Sequence, residues 1–379
     1  EMKKILILHN KYREIGGEDI AVQNEIKFLQ KFYEVDVLYF ENSYKNFFAA
    51  VLTLLFVNNS FSNKKIKRKI INFQPDLVYI HNTWFMLSLG FINKIKKEQI
   101  PVLFKLHNFR YSCTNTFSLK KHLDGKMFCR ACGKSLNKKS FFNKYYQSSY
   151  IKSLFVILHS RKLLKILTSN EHKISLLTEF HKSKLISLGV YESNIKIIPN
   201  PIKFKKNISK KWSKELIYAG RISEEKGLRE LINTFESSGI KDYTLKIIGD
   251  GPLFKKLQRN RYQNTKLLGR LDNETTLKHI RNSSIVVTTT KLYEGQPTIL
   301  SEASSLGIPS IFPITGGIEE FFPKNYEYSF VQFNYENLAE KIKLLISSEN
   351  KDEVGARNYE FLKKKLEESQ LKSNFEEIF

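Results

Sequence analysis

The chain has 379 residues, of which 41% are hydrophobic and 26% are charged. This length exceeds one ordinary core and predicts two domains of roughly 190 residues each. The hydrophobic content excludes an intrinsically disordered chain. The longest apolar stretch, residues 47–57, is shorter than the roughly 20 residues that a membrane-spanning helix needs. We therefore expect a protein built from packed globular domains.

The first residues and the cysteines bear on the compartment. The opening MKKILILHN lacks the longer apolar region and the small-residue cleavage site of a signal peptide, and it reads as a buried strand. The three cysteines are an odd number and do not suggest a disulfide framework. We therefore expect a cytoplasmic protein.

The net charge of +24 is distributed unevenly. Residues 1–200 contain 33 Lys and Arg against 14 Asp and Glu, whereas residues 201–379 contain 29 against 24. Such asymmetry indicates an anionic partner for the first half, namely a membrane surface, a nucleic acid or an acidic glycan. The alternative is that lysines simply cover the solvent-exposed faces.

The first half predicts a parallel sheet. A strand over 4–8, the pair Gly16-Gly17 and a helix over 19–31 are typical of the opening of a doubly wound sheet. Adjacent glycines also let the backbone approach a phosphate closely. Further strands are predicted at 35–40, 75–80, 101–106, 163–168 and 196–198, with a helix over 171–188.

Three predicted strands are followed by the same dipeptide. These pairs are His9-Asn10, His81-Asn82 and His107-Asn108. Ligands of open parallel sheets bind at the carboxyl ends of the strands. The three pairs therefore predict a polar ligand site at that edge.

Two long segments, residues 42–75 and 125–170, contain no acidic residue. Each combines lysines and arginines with apolar and aromatic side chains. This composition fits a basic helix on an anionic membrane. It also fits nucleic-acid stacking in the second segment, or helices that cover the sheet in both.

The cysteines raise the question of a metal. Cys129 and Cys132 form a C-x-x-C pair, which could hold zinc together with Cys113 and a fourth ligand such as His122. A second pair is missing, and the alternative is a loop with incidental thiols. We expect no metal.

The pattern restarts after Pro199-Asn200-Pro201, where we predict the domain boundary. A strand over 215–218 leads into Gly220-Arg221 and a helix over 225–235. Arg221 and Lys226 then lie at one edge of the sheet, where a diphosphate is a natural ligand for two cations. The alternative is ordinary surface basicity. Later strands are predicted at 243–248, 267–270, 285–290 and 309–313, and the final helices at 335–347 and 352–369.

Residues 291–310, KLYEGQPTILSEASSLGIPS, form a Gly turn and a helix after a strand. Glu294 lies at the mouth of the turn, and Glu302 follows about two helical turns deeper. The N–H groups at a helix start attract anions. Two carboxylates beside such a site suit the hydroxyls on either side of a diphosphate, as in a nucleotide sugar. The alternative is one surface glutamate and one mid-helix glutamate.

The second half resembles family 4 of the retaining glycosyltransferases, in the type that builds bacterial surface polysaccharide or lipid-linked glycan. The stretches that carry the resemblance are IPNPI (198–202), YAGRISEEKGLRELI (218–232), IIGDGP (247–252), LLGRL (267–271), YEGQPTILSEASSLGIPSI (293–311) and TGGIEE (315–320). The first half is similar to that family more loosely, through ILHNKYREIGGED (7–19), PDLVYIHN (75–82) and LHNFRYSC (106–113). The EGQP turn differs from the EGFG of many members but is a familiar variant.

The resemblance implies an α/β fold of the GT-B type, with two facing Rossmann-like doubly wound domains and a cleft between them. Residues 1–198 would bind the acceptor and residues 199–355 the nucleotide sugar. Residues 356–379 would be a C-terminal helix that packs back on the first domain.

The resemblance also assigns roles to residues. Arg221 and Lys226 would neutralise the donor diphosphate, Glu302 would hold the ribose hydroxyls, and Glu294 would contact the donor hexose near the reacting centre. The backbone at Gly16 and Gly17 would face the phosphates, and His107 would meet the sugar and the acceptor as a catalytic residue. The remaining donor-binding candidates are Gly295, Gln296, Pro297, Thr298 and Ile299, and the acceptor-side candidates are His9, Asn10, His81, Asn108 and Arg110.

The expected protein is a retaining, metal-independent hexosyltransferase of polysaccharide or lipopolysaccharide synthesis, without a cofactor. Its partners would be a nucleotide-sugar donor, a glycan or lipid-linked acceptor and an anionic membrane surface, with no nucleic acid. It would lie peripherally on the cytoplasmic face of the inner membrane. The alternatives are a GT-B sugar-nucleotide epimerase and, in a different class, a basic nucleic-acid-binding or membrane-binding protein.

Overall fold

The computed structural model describes residues 2–11, 16–41, 60–83, 87, 89–92, 95, 98–109, 111, 149–204 and 213–379. The chain divides into two compact units, Glu1–Pro201 with Ser369–Phe379, and Ile202–Glu368. The domain boundaries expected at 198 and 355 stay predictions. Gly355 packs tightly against Gly307 of the second unit, because a Cβ added to Gly355 would lie 1.9 Å from the Gly307 carbonyl oxygen.

The first unit contains a six-stranded sheet within its described part. Its strands are β1 (Lys4–Lys11), β2 (Glu34–Glu41), β3 (Leu77–Asn82), β4 (Val102–Lys105), β5 (Lys173–Leu176) and β6 (Ile195–Ile197). They lie in the order β2-β1-β3-β4-β5-β6, and every neighbouring pair is parallel. The central strands are buried on both faces, as a parallel sheet requires.

The described helices of the first unit are α1 (Gly17–Leu29), α2 (Ser60–Phe73), α3 (Tyr150–Leu167) and α4 (Glu179–Ser187). Two predictions from sequence were wrong here. The apolar run predicted as a strand at 163–168 is the last turn and end of α3, because a short apolar run has no period that separates strand from helix. The helix predicted over 171–188 is β5 followed by α4, whose start is capped by Thr178 accepting a hydrogen bond from the His181 N–H at 3.1 Å.

The second unit contains its own six-stranded sheet. Its strands are β7 (Glu215–Ala219), β8 (Thr244–Ile248), β9 (Thr265–Gly269), β10 (Ile285–Val287), β11 (Ser310–Ile314) and β12 (Ser329–Val331). They lie in the order β12-β11-β10-β7-β8-β9, again parallel throughout. Its helices are α5 (Leu228–Ser237), α6 (Phe254–Gln258), α7 (Asn273–Asn282), α8 (Thr298–Ser305), α9 (Tyr335–Ser347) and α10 (Lys351–Lys365). The last helix of the chain, α11 (Glu368–Glu376), belongs to the first unit from Ser369 onward. The helix predicted over 352–369 is therefore α10 and the start of α11.

The end of the chain belongs to the first unit. Phe375 packs against Tyr33 and Tyr79 with ring centroids 5.6 Å and 5.5 Å apart. Asn374 donates a hydrogen bond to the Ile197 carbonyl at 3.4 Å. The chain from Ser369 onward therefore packs within the first unit.

Both sheets have a point where the strand order reverses. In the first unit this point lies between β1 and β3, and in the second between β7 and β10. At such a point the connections leave to opposite sides and open a crevice at the carboxyl ends of the strands, where ligands of this architecture bind. The prediction of two doubly wound parallel sheets is confirmed. Within the described ranges, no helix is both long and apolar enough to cross a bilayer.

Candidate active site

The loops after β7 and β10 meet at the crevice of the second unit. Gly227 ends a short 3-10 turn in a left-handed conformation, with φ at +69°. A Cβ on this residue would lie 2.2 Å from the Thr289 carbonyl oxygen, so only glycine fits. The Thr289 hydroxyl donates to the carbonyls of Lys226 and Gly227 at 3.1 Å and 3.0 Å. The two loops are therefore fastened directly to each other.

Glu294 lies where these loops meet. Its carboxylate accepts a hydrogen bond from Lys226 Nζ at 2.5 Å and one from the Thr290 hydroxyl at 3.0 Å. Its backbone is held as well, because the Gly317 N–H donates to the Glu294 carbonyl at 2.9 Å. At Gly316 a Cβ would lie 2.1 Å from that same carbonyl oxygen. The sequence proposed Glu294 and Lys226 separately, and the structure brings them into one ion pair.

Arg221 and Glu302 differ from this pair, because the side chain of neither has a partner among the residues that the structure describes. The Arg221 side chain is exposed and forms no hydrogen bond or ion pair with the described residues. Glu302 is 9% exposed, and its carboxylate likewise has no partner among them. Burial raises the pKa of Glu302 to about 7. An exposed cation and a desolvated carboxylate without partners are groups that a ligand can satisfy.

The other donor-side candidates form the turn into α8. Gly295 and Gln296 are buried, whereas Pro297, Thr298 and Ile299 are partly buried. Pro297 occupies the N-cap position, and none of the side chains that the structure describes caps the helix. This helix end therefore keeps the partial positive charge of its first N–H groups, which favours an anion.

In the first unit, Asp19 organises the loop after β1. The carboxylate of Asp19 lies 2.9 Å from His9 Nε2 and accepts a hydrogen bond from the Gly16 N–H at 2.9 Å. His9 and Asn10 are part of β1, which runs to Lys11, so the expectation that the strand ends before them was wrong. Both are almost fully buried, and the carbonyl of Asn10 accepts a hydrogen bond from Asn82 at 2.8 Å.

His81 and His107 are in contact at the ends of β3 and β4. His81 Nδ1 lies 3.1 Å from His107 Nε2, and the two rings are inclined by only 20°. Burial lowers the pKa of both imidazoles well below the usual range, so both are neutral near pH 7. Together with Asn108, they line a pocket at this edge of the sheet. Asn108 also donates a hydrogen bond to Glu18 at 3.3 Å, at the start of α1.

The remaining candidates lie outside the described residues. These are Arg110 and the proposed zinc ligands Cys113, His122, Cys129 and Cys132. In the part of the chain that the structure describes, no group of three or more His, Cys, Asp and Glu side chains is arranged to hold a metal ion. The zinc alternative thus stays a prediction.

Asp19, Glu25 and Lys105 were not among the residues predicted from sequence. Asp19 contacts His9, and Glu25 lies beside His81 and is paired with Lys105. Asp19 and Glu25 lie on the buried face of α1, together with Val22 and Ile26. Two acids in an otherwise apolar helix face were the available signal, because buried carboxylates need a partner.

Comparison with known proteins finds a similar protein family and similar single proteins. Residues 200–360 match the family model of the glycosyl transferases group 1. The chain is also 24% identical over 379 residues to an uncharacterized glycosyltransferase of Methanocaldococcus jannaschii, covering 95% of this chain and 93% of the relative. The coarse functional assignment is therefore a glycosyltransferase, as the sequence predicted.

Solved structures support the same fold. The Anabaena protein HepE, solved in complex with UDP and glucose, superposes with a TM-score of 0.68 at 15% identity, over 100% of this chain and 99% of that one. The lipopolysaccharide outer core galactosyltransferase WaaB superposes with a TM-score of 0.64 at 16% identity, over 99% and 98%. At such identities the likeness concerns the fold, and the GT-B prediction is confirmed.

Proposed function

We propose that this protein is a retaining glycosyltransferase that moves a hexose from a nucleotide sugar to a hydroxyl of a lipid-linked or growing surface glycan. The observation that carries the proposal is the edge of the second-unit sheet, inside residues 200–360 that match the group 1 family model. There Glu294 is paired with Lys226 at 2.5 Å, and its backbone is held by Gly316 and Gly317. A carboxylate fixed in this way suits a positioned sugar hydroxyl.

In this proposal, Arg221 and Lys226 bind the donor diphosphate. Arg221 forms no ion pair with the described residues, so no such pair has to break when a phosphate binds. The side chains of the Lys226–Glu294 pair are 27% and 22% exposed. Because such partly exposed pairs are weak, Lys226 can turn from Glu294 to a phosphate at little cost. Glu302 would then accept hydrogen bonds from the ribose hydroxyls, and Glu294 from the hexose.

The proposed chemistry retains the configuration at the anomeric carbon. The bond from that carbon to the diphosphate oxygen breaks, and a bond to the acceptor oxygen forms on the same face. The acceptor proton passes to the departing diphosphate, so no protein carboxylate acts as the nucleophile. The protein supplies positioning and charge stabilisation of an oxocarbenium-like transition state. The two cations stabilise the negative charge that develops on the leaving group, and no metal is required in this scheme.

The first unit would hold the acceptor. His107 lines the pocket at the ends of β3 and β4, and its Nδ1 has no hydrogen-bond partner among the described residues. We assign to it a contact with the sugar and the acceptor. Gly16 and Gly17 open α1, and in this proposal their backbone faces the donor phosphates. The Gly16 N–H is already bound to the Asp19 carboxylate, so the contact is assigned to the glycine backbone around Gly17.

A transfer assay tests the proposal. UDP-glucose is the first donor, because HepE was also solved with UDP-glucose at a TM-score of 0.68, and donors with other bases and sugars complete the panel. We expect release of the nucleoside diphosphate from at least one donor, with slow hydrolysis when no acceptor is added. NMR of the product shows whether the anomeric configuration is retained. Failure to turn over any donor would argue for a binding protein, and interconversion of two sugar nucleotides would identify an epimerase. The comparisons do not favour either alternative.

We further propose that the first unit binds an anionic membrane surface. Helix α2 exposes Lys64, Lys65, Lys67 and Arg68. Helix α3 exposes an apolar stripe, in which Tyr150, Ile151, Leu154 and Leu158 are 51%, 68%, 46% and 37% exposed. Basic side chains attract anionic lipid, and an apolar stripe can insert at the interface.

Flotation tests the membrane proposal. We expect the full chain to float with vesicles that contain anionic lipid and to remain in the bottom fraction with neutral vesicles. Each Lys or Arg near an anionic surface contributes on the order of 1 kcal/mol to the binding free energy. The variant Ile151→Ser/Leu154→Ser should reduce recovery, whereas the exposed Ile186→Ser on α4 serves as the control. Equal recovery with both vesicle types would contradict the proposal.

A further inference from the structure

A buried polar cluster lies directly beneath the two contacting histidines. Its members, here called the Glu25 cluster, are Glu25 from α1, Tyr79 from β3 and Lys105 from β4. Lys105 Nζ donates to both carboxylate oxygens of Glu25 at 2.8 Å, and the Tyr79 hydroxyl donates to one of them at 2.7 Å. The three residues are 2%, 0% and 0% exposed.

Stability alone does not account for this cluster. A buried ion pair is often no better for folding than apolar side chains of the same volume, because both charges must be desolvated. The position of the cluster suggests another role. The second oxygen of Glu25 lies 3.9 Å from His81 Nδ1, the same nitrogen that lies 3.1 Å from His107 Nε2. The cluster therefore acts on the atom through which His81 meets His107.

Two observations decide which nitrogen of His81 holds the proton. The carboxylate of Glu25 favours a hydrogen on the nearby Nδ1. The other ring nitrogen, Nε2, is buried and has no hydrogen-bond partner within the described part of the chain. Buried N–H groups without an acceptor are rarer than buried acceptors without a donor. Nε2 of His81 is therefore the ring nitrogen that carries no hydrogen. His81 then donates from Nδ1 to His107 Nε2, and the neutral His107 holds its own proton on Nδ1.

We propose that His81, set by the Glu25 cluster, is a positioning residue that keeps His107 in the tautomer with its proton on Nδ1. This inference rests on the proposed function, in which His107 meets the sugar and the acceptor. It sharpens that role, because His107 then offers a hydrogen-bond donor at the rim. It binds a lone pair of a sugar or acceptor hydroxyl and does not remove the hydroxyl proton, which leaves that proton to the departing diphosphate.

The test is nitrogen NMR of the full chain labelled at its histidine rings, with the His107 signals assigned from a His107→Gln sample. We expect the proton on Nδ1 in both His81 and His107 of the unaltered protein. His81→Leu removes the donor, and His107 should then populate the other tautomer. His81→Asn keeps an amide N–H near the position of Nδ1 and should preserve the tautomer of His107.

Kinetics provide the second measurement. We expect His81→Leu to lower kcat/KM roughly tenfold or more, the usual scale for a residue that orients a functional ligand, and His81→Asn to restore most of it. Tyr326→Phe, which removes a buried hydroxyl of the second unit, is the control for a general loss of buried polar contacts. It should leave the histidine signals unchanged.

Two outcomes would overturn the inference. One is a His107 proton on Nε2 in the unaltered protein, which requires no variant to fold. The other is an unchanged His107 tautomer in His81→Leu. Failure of the proposed function is distinguishable, because normal turnover by His107→Gln would remove the catalytic role of His107 while the tautomer measurement would still stand.

Discussion

Glu294→Ala and Lys226→Ala are each expected to lower the rate of sugar transfer by at least roughly a hundredfold, the scale of one lost electrostatic contact in a preorganised site. Glu294→Ala would remove the hydrogen bond to the hexose. Lys226→Ala would remove a positive charge beside the diphosphate. Because the two side chains are in contact at 2.5 Å, the double variant should lose less than the product of the two single effects. Steady-state rates with the donor found in the panel measure all three variants.

The control for this prediction separates catalysis from folding. The pair is partly exposed, so its loss should change the free energy of unfolding by no more than about 1 kcal/mol. Lys246→Ala breaks a similarly exposed ion pair with Glu215, at the amino end of β7 and away from the rim. It should match the two variants in stability and retain full activity. Near-normal turnover in both Glu294→Ala and Lys226→Ala would refute the assignment of the donor site.

Nucleotide affinity is expected to depend on the charge of Glu302. Burial raises the pKa of this carboxyl to about 7 in the folded protein, and ribose hydroxyls bind the ionised form. Raising the pH from 6 to 8 should therefore increase the affinity for UDP roughly tenfold more in the unaltered protein than in Glu302→Gln. Calorimetric titration at several pH values measures this ratio. Ionisation of UDP affects both proteins alike, so a ratio that stays constant with pH would contradict the role of Glu302.

The same group predicts a stability effect of defined sign. The folded pKa lies above the usual value of 4.5, so the folded state binds the proton more tightly than the unfolded one. The stability from this group is present below about pH 4.5 and is lost as the pH rises through about 7. The loss is on the order of 2–3 kcal/mol and should be absent in Glu302→Gln. Denaturant unfolding at pH 5 and pH 8 tests this difference.

The rim of the second unit was largely predictable because its signals are local. Gly227, Lys226 and Arg221 follow one strand, and Glu294 follows another, each within a few residues of a Gly turn. In a parallel sheet the carboxyl ends of the strands share one edge, so loops far apart in sequence are expected to meet there. The ion pair between Lys226 and Glu294, 68 residues apart, required the actual strand order.

The polar contacts of the first unit were less predictable. Glu25 and Lys105 are 80 residues apart, and neither belongs to a motif that the sequence reasoning used. The placement of His9 and Asn10 inside β1 depends on their pairing with the neighbouring strands, which continues to Lys11. Such contacts arise from strand register and from packing between segments that are distant in sequence. The local periodicity of apolar residues does not predict them.

By itself, the sequence determined two wound parallel sheets, and it placed the cations and carboxylates of the proposed donor site at the carboxyl ends of the strands. These features follow from short-range patterns of apolar residues, glycines and charges. Only the tertiary structure decided that Glu294 is already paired with Lys226, that Glu302 is desolvated, and that His81 lies between His107 and a buried carboxylate. These facts depend on which distant side chains exclude water from one another, and that is a property of the packed chain.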